Sequence, residues 1–268
     1  MSHAVRTLPQ PVAFAAAPLI VPVFALGMVG LGILALVYGD FAMGWQPVAQ
    51  WVPGRTALAY GSGLLMLVCG IALFTRFSAW AARVLFVYLF LWMLLKVPAL
   101  VVAPQIEGVW LGIGELAVLF TGGWALFARL ASLRPDSAFA FLTVPAALRS
   151  AHTLFAASLV PIGLSHLLYV KETTALVPAW LPNRALWGDI AGIAQMLCGI
   201  AILLHIYPRI AAHIEAALIG LFTLLVWTPQ ILTAPAARLP WTAFFISWVI
   251  GASAWTLAQS IPASSRQG

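Results

Sequence analysis

Eight long apolar stretches limit what this chain can fold into. Each holds about 20 mostly apolar residues, the length at which an α-helix crosses a bilayer. Charged residues make up only 7% of the chain, whereas a soluble domain carries about 25%. Because backbone groups in hydrocarbon must satisfy their own hydrogen bonds, we predict an all-α integral membrane protein with eight transmembrane helices. The stretches lie at 17–38, 56–75, 79–102, 108–130, 149–170, 185–205, 209–232 and 239–260.

The second half of the sequence repeats the first. The segment Trp51-Val-Pro-Gly-Arg55 recurs 129 positions later as Trp180-Leu-Pro-Asn-Arg184, and Cys69-Gly-Ile-Ala recurs at the same distance from Cys198. The offset is 130 for Ala81-Ala82 and 131 for Pro98, which matches Pro229. Small steps of this kind indicate loop-length changes in a duplicated unit. Since each copy holds four helices, both enter the membrane from the same side, and we predict two parallel-repeat four-helix bundles.

The basic residues predict the orientation in the membrane. With the N-terminus inside, eight of the 13 lysines and arginines flank the inner side, four flank the outer side, and Lys96 lies within a helix. This bias predicts a bacterial cytoplasmic (inner) membrane protein with both termini in the cytoplasm. We interpret the basic residues as topology signals, so we expect the lipid bilayer as a partner and no nucleic acid. The predicted segments are a cytoplasmic tail at 1–16, a first repeat at 17–131, a cytoplasmic linker at 132–148, a second repeat at 149–260 and a C-terminal tail at 261–268.

Two opposite charges lie inside the first copy. Lys96 and Glu115 are on consecutive antiparallel helices, each about 10 Å below the outer surface at 1.5 Å per residue. The second copy has Trp227 and Ile246 at the matching positions, so both charges are absent there together. Intramembrane charges are costly without a partner, so we expect the two to pair. A structural ion pair and a proton- or ligand-coupled pair both remain open.

The second copy has its own polar residues. His166 and Asp189 match in depth near the outer side, so an Asp–His contact is a candidate. Gln195 and Gln230 lie on neighbouring helices. A functional His166 and a histidine that only joins two helices both remain open. Towards the inner side, we interpret His205, Arg209, His213 and Glu215 as a solvated boundary cluster.

Matching segments precede the second helix of each copy. They combine a tryptophan, a proline at a helix start and an arginine, a combination typical of the membrane–water interface. One interpretation is a pair of interface anchors with outward-reaching arginines, and the other is a short outer cap that helps to close a site. The residues are Trp51, Pro53, Arg55, Trp180, Pro182 and Arg184.

The sequence offers few groups for catalysis. Cys69 and Cys198 lie beside glycines in apolar stretches, and we interpret them as packing residues. CxxC, HExxH, Gly-rich phosphate and GxSxG motifs are missing from the sequence. His166 and His205 are predicted near opposite membrane faces, which argues against haem ligation by that pair. We therefore predict no catalytic residue and no metal ligand, and an enzyme acting alone is not favoured.

The second copy resembles the DoxX-like family (DoxX/DoxD-type four-helix membrane proteins). The resemblance rests on Gly163-Leu-Ser-His-Leu-Leu-Tyr169, Val177-Pro-Ala-Trp-Leu-Pro182 and Gly192-Ile-Ala-Gln-Met-Leu-Cys-Gly199. That family includes a small subunit of thiosulfate:quinone oxidoreductase and relatives of methylamine-utilisation and thiol-metabolism membrane proteins. The resemblance implies a four-helix fold, a quinone as cofactor and a redox partner subunit. Many such proteins carry a glutamate where Gln195 stands, and the first copy has Met66 there.

Three functions are compatible with these observations. The first is an accessory subunit of a quinone- or thiol-linked redox process. The second is a membrane carrier or binding protein for a small apolar or amphipathic molecule, with its site between the copies. The third is a structural membrane scaffold. Because the polar residues differ between the copies, we expect any site to be single and asymmetric.

Overall fold

The computed structural model describes residues 19–131 and 139–262. Over these ranges the chain is all-helical, and eight spans are long and apolar enough to cross a membrane. The all-α class and the number of spans are therefore confirmed. The helices are α1 Ile20–Tyr38, α2 Arg55–Ala72, α3 Ser78–Val102, α4 Glu107–Ala131, α5 Pro145–Leu168, the short α6 Val170–Leu176, α7 Arg184–Leu203, α8 Pro208–Phe222, α9 Thr228–Thr233 and α10 Arg238–Ser260. A π-turn at Thr223–Trp227 joins α8 and α9 into one span.

The structure describes only a small part of the predicted tails and linker. The tail at 1–16, almost all of the tail at 261–268 and the first part of the linker lie outside the described residues. The rest of the linker holds a short 3-10 helix, Ala140–Thr143, and α5 begins at Pro145, four residues before the predicted second repeat. Proline suits this position because the first turn of a helix needs no backbone N–H from it.

Helices of the two halves pack against each other. Along the chain α1 packs on α2, α3 on α4, α5 on α7, and α8 on α10. Among the described helices, the main contacts that join α1–α4 to α5–α10 are α4 with α5, α1 with α10, and α4 with α10. The helix α4 is the most buried span, with 72% of its most apolar window inside the structure. A Cβ atom on Gly122 of α4 would overlap Ser253 of α10, so a glycine is needed where these helices cross. The centre of the protein is therefore the α4–α10 contact.

Matched glycines make the same kind of contact in each half. A Cβ atom on Gly32 of α1 would lie 2.6 Å from the backbone nitrogen of Leu67 on α2. A Cβ atom on the matching Gly163 of α5 would overlap the carbonyl oxygen of Gly192 on α7. Small residues let transmembrane helices approach until their backbones touch, which increases van der Waals packing. The glycines of the repeated motifs thus fix the α1–α2 and α5–α7 distances.

The π-turn accounts for one step in the repeat offset. The offset is 130 at Ala81 and 131 at Pro98, and Thr223–Trp227 lies between their counterparts Ala211 and Pro229. A π-turn accommodates one extra residue within a helix without ending it. The extra residue of the second copy therefore lies inside a membrane span. We had expected such residues in the loops.

Candidate functional site

A buried polar trio, His166, Gln195 and Glu215, lies inside the second half. His166 comes from α5, Gln195 from α7 and Glu215 from α8. The Gln195 Nε2 donates a hydrogen bond of 3.1 Å to Glu215 Oε1. Gln195 is 1% exposed and Glu215 is 0% exposed, so this hydrogen bond is shielded from both lipid and water. His166 interacts with Gln195, and its ring lies 5.8 Å from the ring of Phe222.

Each member of the trio keeps one buried polar atom without a hydrogen-bond partner among the described residues. These atoms are His166 Nδ1, Gln195 Oε1 and Glu215 Oε2. A buried polar atom without a partner costs about 1–3 kcal/mol, so three together in one place call for an explanation. A histidine ring and a carboxyl group can each take up or release a proton, and all three atoms can bind a hydrogen-bonding ligand. The trio is therefore the strongest candidate for a functional centre.

The matching positions in the first half are all apolar. They are Ala35, Met66 and Leu85, at offsets of 131, 129 and 130. Their exposed fractions are 3%, 0% and 0%, so they are at least as buried as the trio, of which His166 is half-buried. The fold thus accepts a fully apolar set at this place, and the polar set is not required for packing. This asymmetry is what a single site in one half would show.

Sequence reasoning misplaced Glu215. We expected it in a solvated cluster with His205, Arg209 and His213, and the structure buries it completely. Glu215 lies seven residues after the start of α8, which is about 10 Å at 1.5 Å per residue. Its match to buried Leu85 was the signal in the sequence that could have located it, because the repeat places both on the same helix face. The other three residues are exposed or half-buried.

Lys96 is anchored by backbone carbonyl groups. Its Nζ donates hydrogen bonds of 2.8 Å to Gly44 O and 3.0 Å to Gly112 O. Glu115, the partner that we expected, interacts with Lys96 electrostatically and forms no direct ion pair with it among the described contacts. Gly112 is one turn before Glu115 on α4, so a small residue there leaves room for the ammonium group. Two neutral carbonyls replace part of the hydration that Lys96 loses. Glu115 itself is half-buried.

The contact with Gly44 fixes a plug, residues 41–46, over the first half. Phe41 and Trp45 are buried to 5% and 1% exposure although they lie in a loop. The Gln46 Nε2 donates to Tyr88 Oη at 2.6 Å and to Ser62 Oγ at 3.0 Å. Lys96 and these polar contacts therefore hold an inserted loop, which favours a structural role for Lys96.

Asp40 joins the two halves at one end of the protein. This Asp40 end is formed by the loops at 39–54, 103–106 and 234–237 and by the segment 169–183, which contains α6; the opposite end is called the His205 end. The carboxylate pairs with Arg55 at 2.5 Å and with Arg238 at 2.8 Å. Burial raises the pKa of Asp40, but hydrogen bonds from Arg238, Arg55 and the Phe41 backbone N–H outweigh it, so the pKa lies below the ordinary 3.8. Because Arg238 begins α10, this pair ties the first loop to the second half.

The residues proposed as an outer cap do not act as one group. Trp51 is 83% exposed and Trp180 is 70% exposed, positions that suit interface anchors. Pro53, Pro182 and Arg184 are exposed as well. Arg55 instead turns inward, where its Nε donates to Val48 O at 3.1 Å and its side chain pairs with Asp40. An outward-reaching Arg55 was therefore a wrong expectation, because a carboxylate and a carbonyl lie within its reach.

The remaining predicted residues form no hydrogen bond with the trio among the described contacts. His166 interacts with Gln195 and Phe222, and its described contacts include no hydrogen bond to the half-buried Asp189. Gln230 lies in α9 near the Asp40 end, and its backbone oxygen accepts hydrogen bonds from Thr233 and Ala234. Gln195 has Glu215 as its partner in place of Gln230.

A groove of about 520 Å³ lies between the halves. It is lined by α1, α8, the π-turn and α10, and its residues are Val23, His213, Ala216, Ala217, Gly220, Thr223, Leu224, Ser247, Trp248, Gly251, Ala252 and Trp255. The Trp248 Nε1 donates to Val23 O at 2.7 Å, which fixes one wall. A Cβ atom on Gly220 would meet nothing within 4 Å, so the groove is open above α8. The helix α8 therefore carries Glu215 on one face and the groove floor on another.

Comparison with known proteins gives one similarity. Residues 155–253 match the family described as "Domain of unknown function (DUF8561)". The match begins in α5 and ends in α10, so it includes the trio and the α8 and α10 walls of the groove. No curated protein and no solved structure matches the chain.

Proposed function

We propose that the protein is a membrane carrier or binding protein for a small apolar or amphipathic molecule, which occupies the groove between α1, α8 and α10. The observation that carries this proposal is the volume of about 520 Å³, within the range of about 300–1,000 Å³ for small-molecule sites. The lining is mostly apolar, with Thr223 and Ser247 as polar positions. His213 also lines the groove, but both of its ring nitrogens are hydrogen-bonded, to Arg209 O and to the Gln259 side chain. Such a site suits a molecule that partitions into lipid and has one or two hydrogen-bonding groups.

Proton exchange at the trio regulates this site. Glu215 is followed directly by Ala216, which lines the groove. A proton gained or lost by Glu215 alters its hydrogen bond to Gln195 and hence the position of α8 against α7. The adjoining π-turn is a weak point of helix geometry, and such turns are frequent at functional sites. Proton exchange at Glu215 therefore changes the groove through α8.

The proposal includes an arrangement in the membrane. The two halves are parallel four-helix repeats in a bacterial inner membrane, with both termini cytoplasmic. The repeat offsets and the equivalent glycine contacts in α1–α2 and α5–α7 support the repeats. The excess of basic residues towards the predicted inner side supports the orientation.

The test of the groove is to fill it. Gly220→Leu places a side chain into open space above α8. Gly61→Leu is the matched control, because a Cβ atom on Gly61 of α2 also meets nothing within 4 Å and lies outside the groove. Both proteins are purified from membranes, and the molecules they retain are identified by native mass spectrometry. We expect one retained class to be lost in Gly220→Leu and kept in Gly61→Leu. Equal retention by both variants and the wild type would rule out the groove as the site.

An accessory subunit of a quinone- or thiol-linked redox process is the second candidate. The observation that favours it is the pair of proton-exchanging groups, His166 and Glu215, close to an apolar groove. A quinone has an apolar tail and carbonyl oxygens, and its reduction takes up protons. The groove volume fits such a molecule, and the Ser247 hydroxyl, which accepts a hydrogen bond from Trp227 Nε1, keeps its own proton for a carbonyl oxygen. Cys69 and Cys198 are buried free thiols, so they give the thiol-linked form no support.

Purification of the protein and an uptake assay distinguish the two candidate functions. An accessory subunit predicts that the gently solubilised protein is purified together with a soluble redox partner or with a quinone. A carrier predicts that radiolabelled ligand enters vesicles containing this protein alone. A protein that retains no small molecule and no partner, and that moves none, would leave only the scaffold role.

A further inference from the structure

A second cavity, of about 290 Å³, opens at the His205 end. It is formed by the first turn of α5, the end of α7, the start of α8 and the end of α10. Its lining residues are Pro145, Leu148, Arg149, His152, Ile202, His205, Pro208, Ser260, Ile261 and Pro262. Three of them are basic and none is acidic. The cavity is separate from both the groove and the trio.

Hydrogen bonds fix one of the basic side chains. The Ser260 Oγ donates to Leu257 O at 2.7 Å, which uses its only proton. Its other contact, 2.7 Å from His152 Nε2, must therefore be one in which Ser260 accepts a proton from the ring. The imidazole of His152 is thereby held in one orientation at the cavity wall.

The positive charge of this cavity comes from its side chains and not from the helix ends around it. The N-termini of α5 and α8 and the C-termini of α7 and α10 meet here, and helix ends carry about +0.5 and −0.5 charges that offset one another. The guanidinium of Arg149 is permanently charged. It makes no ion pair or side-chain hydrogen bond with any described residue, and it is exposed. His205 is also exposed.

We propose that this cavity binds a small oxyanion, a phosphate, sulfate or carboxylate group, through Arg149 and His205. The guanidinium supplies two parallel N–H donors suited to such a group. His205 supplies a further donor from another wall, whereas His152 donates its Nε2–H to Ser260 and only shapes the cavity. The oxyanion belongs either to a free molecule on this side of the membrane or to the headgroup of an anionic lipid. Neither source depends on a ligand in the groove between the halves.

The test uses the full chain in detergent, with inorganic phosphate as the probe. Phosphate is titrated by calorimetry against a sodium chloride control at equal ionic strength. We expect wild-type protein to bind it, and Arg149→Gln to bind roughly tenfold or more weakly, because a charged hydrogen bond contributes about 1.5–3 kcal/mol. The exposed His205→Gln should weaken binding too. Arg76→Gln is the control, since Arg76 is an exposed arginine at the same end of the first half.

The second arm separates the two sources. The same proteins are placed in nanodiscs of phosphatidylglycerol and phosphatidylcholine, and retained lipid is measured by native mass spectrometry. Retention of phosphatidylglycerol that depends on Arg149, without phosphate binding, identifies a lipid headgroup as the oxyanion. Phosphate binding that depends on Arg149 identifies a free oxyanion. Equal behaviour of wild type, Arg149→Gln and Arg76→Gln in both arms overturns the proposal. Retention of ligand in the groove is unaffected by any of these outcomes.

Discussion

The hydrogen bond between Gln195 and Glu215 leads to a prediction about stability. Its length is 3.1 Å, and both side chains are 0–1% exposed. Gln195→Met leaves Glu215 without its partner, and Glu215→Leu leaves the Gln195 amide without its acceptor. Each single substitution therefore creates an unpaired buried polar group, at a cost of about 1–3 kcal/mol. The apolar side chain that is introduced offsets part of this cost.

The double variant should behave differently from the sum of the two. Gln195→Met with Glu215→Leu restores the pair that the first half already contains, Met66 and Leu85, both 0% exposed. We expect it to be at least as stable as the wild type. Membrane double-mutant cycles average about 0.6 kcal/mol and reach about 1.7 kcal/mol, so we expect a coupling energy near the upper value for this fully buried bond.

The assay is equilibrium unfolding of the four proteins in bicelles by added sodium dodecyl sulfate. The coupling energy follows from the free energies of unfolding of the wild type, the two single variants and the double variant. A coupling energy of zero, or a double variant less stable than both single variants, would refute the reasoning. Glu215→Gln keeps the volume and removes the exchangeable proton, so it should leave the fold intact and abolish any pH dependence of ligand retention.

Three further predictions concern other contacts. The pKa of Asp40 lies below 3.8 in the folded protein. Its ion pairs therefore stabilise the fold above pH 3.8, and this stabilisation is lost as the pH falls through the folded pKa. Thermal unfolding should show this acid sensitivity in the wild type and not in Asp40→Asn. Lys96→Met leaves the Gly44 and Gly112 carbonyls without their donor and should make the plug accessible to limited proteolysis, and an unchanged digestion pattern would contradict the anchoring role. Gly163→Leu would force a side chain against the backbone of α7, so it should prevent stable folding. Gly61→Leu is the control and should fold normally. Size-exclusion chromatography of the two purified variants measures the difference.

The sequence by itself determined the class of protein and the positions of the spans. Runs of about 20 apolar residues leave few choices in a bilayer, because every backbone hydrogen bond must be made within the helix. The predicted limits differ from the observed helix ends by a few residues, and α5 shows the largest shift. The repeated glycines also pointed to close helix contacts, since only small residues allow backbones to touch. These conclusions rest on local composition and spacing.

Tertiary structure decided which polar groups meet. Depth in the membrane paired Lys96 with Glu115 and His166 with Asp189, but depth does not specify the direction in which a side chain points around the helix axis. The loop at 41–46 folds back into the first half, and its Gly44 carbonyl accepts a hydrogen bond from Lys96. Glu215 looked like a boundary residue from its neighbours in sequence, whereas helix packing directed it towards Gln195. The asymmetry of the two copies was visible in the sequence, and only the packing of α5, α7 and α8 showed that it forms one buried trio.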